Sequence, residues 1–176
     1  MDSLNTVIAS LFFWISSHLY VINADFKQPP HYPEIKFITH EKLSQMACEK
    51  PCPVIGWYPT KNQIEGKEVL YMIKGVYPVN DLCIRTIFLH ELVHFWQDYN
   101  NAFEDTNDSE KVRFTYKEQQ ATLLEHIYRG NEYEKYRKKH DKYYKPRCCK
   151  SISFGRCVND PGWIDQFINK SKNKKS

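Results

Sequence analysis

Residues 83–100 read CIRTIFLHELVHFWQDYN, an apolar run broken by His90, Glu91 and His94 at positions where hydrophobic side chains would be expected. Leu89, Leu92, Val93, Phe95 and Trp96 surround the break, so the segment predicts a helix that is apolar almost all round and therefore buried. Pro78 stands ahead of it and Asn80 or Asp81 offers an N-cap. Residues four apart lie one above the other on a helix, so His90 and His94 turn their rings to a common point. Glu91 lies roughly 100° further round the axis. Buried ionisable groups need partners, and a metal ion shared by two imidazoles supplies one. Core histidines with ordinary hydrogen-bond partners are common, but the pattern H-E-x-x-H on a helix is that of zinc metalloproteases, with the glutamate beside the metal-held water.

A catalytic zinc site takes three protein ligands. Downstream candidates for the third are Asp98, Asp105, Glu110, Glu118, Glu125, His126 and His140. Asp98 is one turn beyond His94 on the same helix and suits a supporting role better than direct ligation. The segment EKVRFTYKEQQATLLEHIYRG, 110–130, predicts a second helix, capped by Asn107, Asp108 and Ser109 and ending near Gly130. Glu118, Ala121 and Glu125 share one face of it, with the small Ala121 permitting close approach to the first helix. Glu118 and Glu125 are roughly 10.5 Å apart along the axis, so only one of them reaches the metal.

HELVH at 90–94, followed by a second helix carrying E-x-x-A at Glu118 to Ala121, resembles the gluzincin metallopeptidases, in particular small single-domain bacterial proteins of that type. The resemblance covers only about residues 80–130. It implies His90, His94 and Glu118 as zinc ligands and Glu91 as general base, with Glu125 as an alternative ligand because the interval from His94 to Glu118 is long for the family. No third histidine follows closely behind His94, unlike the metzincin pattern.

The chain has 176 residues, enough for one domain with its own core. Residues 1–24 carry an apolar stretch from Val7 to Ile22 and then Asn23 and Ala24, which predicts a secretory signal peptide. The stretch is shorter than the roughly 20 apolar residues that span a bilayer. Asp2 and the lack of Lys or Arg ahead of the stretch are unusual for a signal, and an uncleaved anchor or a buried helix of the folded domain are the alternatives. Residues 25–160 are expected to form the zincin-like domain, and 161–176 a C-terminal segment with a basic tail.

Six cysteines, Cys48, Cys52, Cys83, Cys148, Cys149 and Cys157, all follow the proposed cleavage point, and an even number in an exported chain predicts disulfides. Cys48 and Cys52 have a metal-like spacing but no second pair to complete a site. EIKFIT, PVIGWYP and EVLYMIKG have the β-branched and aromatic content of strands. The expected fold class is α+β, a small antiparallel sheet followed by an active-site helix and a second ligand-bearing helix.

Lys and Arg number 25 against 21 Asp and Glu, for a net charge of +4. The basic, tyrosine-rich stretch NEYEKYRKKHDKYYKPRCCK interleaves acidic residues and reads as a solvated helix face rather than a nucleic-acid surface. The functional expectation is a secreted or periplasmic, monomeric zinc peptidase acting on peptide or protein substrates. It meets the membrane only if its N-terminal segment is uncleaved. The alternative is an exported, disulfide-bonded binding protein that keeps the scaffold without turnover.

Overall fold

A computed structural model describes residues 3–60, 68–79 and 81–140, with the short stretches 152–153 and 156–157. The chain is α+β. Helices α1 (Leu4–Ser17) and α2 (Leu19–Ile22) lead into strand β1 (Glu34–Ile38), helix α3 (His40–Ala47), and strands β2 (Gly56–Trp57) and β3 (Val69–Ile73). Then come the long helices α4 (Leu82–Tyr99) and α5 (Glu110–His140), and a small pair, β4 (Ile152–Ser153) and β5 (Arg156–Cys157).

The main sheet has the order β1-β3-β2. β2 and β3 pair antiparallel, as their hairpin-like sequence predicts, with Trp57 opposite Tyr71. β1 pairs parallel to β3, with Lys36 opposite Tyr71, so the sheet is mixed and not antiparallel throughout. The cause is α3, a short helix between the strands. A parallel neighbour needs a crossover rather than a tight turn, and HEKLSQMA forms part of that connection, with the Thr39 hydroxyl accepting from the Lys42 N–H as its N-cap. β3 is buried at every position, as a central strand with both faces covered must be. Gly75 takes φ +91 in the turn after it, a backbone conformation that favours glycine.

α4 is the core of the molecule. The Asp81 carboxylate caps it by accepting from the Cys83 and Ile84 N–H groups. Ile84, Ile87, Phe88, Leu89, Leu92, Val93, Phe95 and Trp96 are fully enclosed. α5, α1, β2 and β3 all touch it, which explains why its sequence is apolar on every side. α1 is amphipathic: Val7, Ile8, Leu11, Phe12 and Ile15 are buried, and the Phe12 ring lies 6.0 Å from that of Phe95 and 5.7 Å from that of Trp96. The stretch expected as a signal peptide thus supplies a packed helix, and among the described residues no helix is long and apolar enough to cross a membrane.

α5 starts where the sequence predicts but runs ten residues past Gly130. A mid-helix glycine costs only about 1 kcal/mol relative to alanine. The charged, helix-favouring residues beyond it continue the helix, with Lys135 and Glu132 paired at 2.6 Å.

Cys48 and Cys52 form a disulfide, and Cys83 is also disulfide-bonded. Cys148, Cys149, the Cys157 side chain and the segment 161–176 lie outside the described residues.

Candidate metal centre

Two faces of α4 build the site. The first meets α5. Ala121 is fully buried there, and the close helix approach it allows brings the Glu118 carboxylate onto the two histidines. His90 Nε2 and His94 Nε2 are 3.1 Å apart. Glu118 Oε2 lies 3.3 Å from His90 Nε2, and Glu118 Oε1 lies 3.1 Å from His94 Nε2. Among the described residues these three form the group of His, Cys, Asp or Glu side chains able to hold a metal ion. Zinc–nitrogen bonds of about 2.0–2.1 Å give a tetrahedron with an edge of about 3.3 Å, so the donor spacing fits such an ion. Glu118 Oε2 is buried and faces the His90 ring.

A polar side chain stands behind each histidine. His94 Nδ1 is 2.8 Å from Gln97 Oε1. The orientation of the Gln97 amide is fixed because its nitrogen donates to the Lys117 carbonyl at 2.9 Å and to Gln120 Oε1 at 3.0 Å. The amide therefore presents its oxygen to His94, the proton sits on Nδ1, and the Nε2 lone pair points to the cluster. Behind His90, Glu125 Oε2 lies 3.5 Å from Nδ1. Glu125 is fully buried and has Arg129 3.8 Å from its other oxygen. It faces the rear of His90 and so stands where a supporting carboxylate orients a ligand, while Glu118 takes the position at the cluster.

The second face of α4 meets β2. Glu91 Oε2 accepts the main-chain N–H of Tyr58 at 2.8 Å. Gly56 makes this approach possible, because a Cβ there would stand 2.9 Å from Met72 Sδ and 3.2 Å from Glu91 Cγ. Asp98 is turned the same way and accepts the Tyr58 hydroxyl at 3.1 Å, so it supports the β2 side and not the histidines.

Electrostatics follow from this burial. Burial opposes a charge on His90, but hydrogen bonding to Glu118 and Glu125 outweighs it and carries the pKa up to about 10. Burial also works against an ionised Glu118, and the hydrogen bonds from His90 and His94 overcome it, holding the carboxyl well below its usual range. Glu91 is pushed up, chiefly by burial.

Glu91, His94 and Glu118 line one cavity of about 160 Å³. Its other walls come from Ala47 and Cys48 at the end of α3, Val54, Trp57, Tyr58 and Thr60 around β2, and Phe114 and Lys117 on α5. Tyr116, exposed beside Phe103, Tyr128, packed on Trp14, and the exposed His126 are not among the residues that line this cavity. Two residues central to the site carry no mark in the sequence. Gln97 has a recognisable spacing, i+3 from His94, but glutamine is not a ligand type. Tyr58 acts through a main-chain group, for which residue type gives no signal.

No family model, curated protein or solved structure matches this chain.

Proposed function

We propose that the chain is a zinc-dependent peptidase, hydrolysing peptide bonds with His90, His94 and Glu118 as metal ligands and Glu91 as general base, on a zincin-like arrangement of sheet, metal helix and second helix. The observation that carries this reading is the convergence of three donor atoms at tetrahedral spacing beside a carboxylate that lines the same cavity. A structural zinc site is usually closed by four protein ligands, whereas three leave a position for chemistry. A zinc ion held there would supply Lewis acidity, lowering the pKa of a bound water to about 7 and polarising a substrate carbonyl.

The protein side of the reaction falls to Glu91. One of its oxygens is engaged by the Tyr58 N–H, which leaves the other to take the proton from the attacking water and deliver it to the leaving amine nitrogen. Val54 and Phe114 give the cavity apolar walls beside the carboxylate. The disulfides of Cys48–Cys52 and Cys83 favour an exported setting.

Glu91→Gln tests the role. The amide is isosteric, and Glu91 is not a ligand, so zinc content should stay near one equivalent while peptide hydrolysis falls at least about 10²-fold. His94→Ala should lose both. Hydrolysis at the parent rate in Glu91→Gln would sink the mechanism. A parent that binds zinc but cuts nothing across a broad peptide library would make the non-catalytic binding protein the better reading.

A further inference from the structure

Glu91, Phe95 and Asp98 are spaced i, i+4 and i+7 on one face of α4, and all three engage a single residue. The Tyr58 N–H donates to Glu91 at 2.8 Å, its ring packs edge-on to Phe95 with centroids 5.8 Å apart, and its hydroxyl donates to Asp98 at 3.1 Å. Tyr58 is buried, and burial together with the Asp98 carboxylate pushes its phenol far above the usual range. It is therefore a hydrogen-bond donor throughout the neutral range.

We infer that Tyr58 and Asp98 are positioning residues that form a latch, through which the main-chain N–H of residue 58 is held on Glu91. The inference rests on the reading of Glu91 as general base. The need for a latch follows from the sheet. β2 has only two residues, and its ladder with β3 ends at Trp57, so residue 58 lies just past the last paired position. Beyond Trp57, among the described residues, no strand pairing with β3 holds the chain, and a shift of residue 58 there would take the amide away from the carboxylate. Asp98 sits two turns along α4 from Glu91 and anchors the same residue by its far end. Two contacts along one rigid helix fix both the position and the direction of the amide, which one contact alone does not. The arrangement also divides the labour: the main chain meets Glu91, and the side chain secures the main chain.

Tyr58→Phe removes the hydroxyl and keeps the ring and the N–H. Asp98→Leu removes the acceptor, and Asp98→Asn retains an acceptor oxygen. Zinc content, kcat and KM on one peptide, and amide hydrogen exchange at residue 58 are measured for each. In Tyr58→Phe and Asp98→Leu, kcat should fall about tenfold at unchanged KM and zinc content, with exchange at residue 58 faster by about the same factor, as for loss of one buried hydrogen bond to a charged group. Asp98→Asn should stay near the parent in all four. A parent-like kcat in Tyr58→Phe, or a fall that comes only with lost zinc, overturns the latch. If the parent itself cuts nothing, the peptidase reading fails on its own account. The exchange measurement then decides the latch: accelerated exchange in Tyr58→Phe supports it, and unchanged exchange overturns it.

Discussion

The two faces of α4 hold their functional groups by different means. Toward α5, His90 and His94 meet side chains only: Glu118 at the cluster, Glu125 behind one ring and Gln97 behind the other. Toward β2, Glu91 meets a main-chain amide in a strand brought close by a glycine. Side-chain partners set metal affinity and can be removed one at a time. A main-chain partner cannot be removed by substitution, only displaced. The ligand face should therefore respond to mutation through metal content, and the base face through turnover at constant metal.

The largest effect expected is on the ligand face. Glu118→Ala should abolish stoichiometric zinc binding, measured by metal analysis after dialysis, whereas Glu125→Ala should keep the metal with affinity weakened about 10- to 100-fold, the usual cost of losing a supporting partner. The opposite pattern would exchange their roles. Gln97→Leu should likewise weaken zinc by about 10- to 100-fold in a competition titration, since nothing then fixes the His94 tautomer; parent-like affinity would show that the amide is incidental.

Zinc affinity should also rise with pH. The His90 pKa near 10 in the metal-free protein means that the ring carries a proton at pH 7, and a ligating imidazole must be neutral. Glu118, held low, stays ionised and adds no competing proton. Affinity should thus gain about tenfold per pH unit between about 7 and 9, with one proton released per zinc at pH 7. A flat profile would mean that no proton occupies the site.

The smallest effect is expected on the other face. Gly56→Ala forces Met72 or the strand to shift, with an overpacking cost of about 1–3 kcal/mol in thermal unfolding and a several-fold loss of turnover at unchanged zinc. Loss of zinc in this variant would show that the two faces are not separate.

What could be read from the sequence divides along the same line. His90, Glu91 and His94 are legible because the helical period alone sets their directions. That only one of Glu118 and Glu125 reaches the cluster follows from the axial rise, but which one does depends on how far α5 slides along α4, a tertiary quantity that the sequence does not encode locally. The parallel pairing of β1 is masked by α3, whose eight residues are too few for a strong periodic signal, and the length of α5 by Gly130, a residue that more often ends a helix than continues it. Tyr58 was invisible because a backbone amide is the same in every residue except proline.

The Gln97 amide has a consequence for how the protein assembles. Its nitrogen is pinned by the Lys117 carbonyl and Gln120 on α5, and only then does its oxygen select the proton position on His94. In an undocked chain the imidazole is free to offer either nitrogen, so a correctly directed Nε2 registers that α5 has arrived. On the proposed reading, zinc uptake would count docked molecules, and by reciprocity a chelator should loosen the α4–α5 seam.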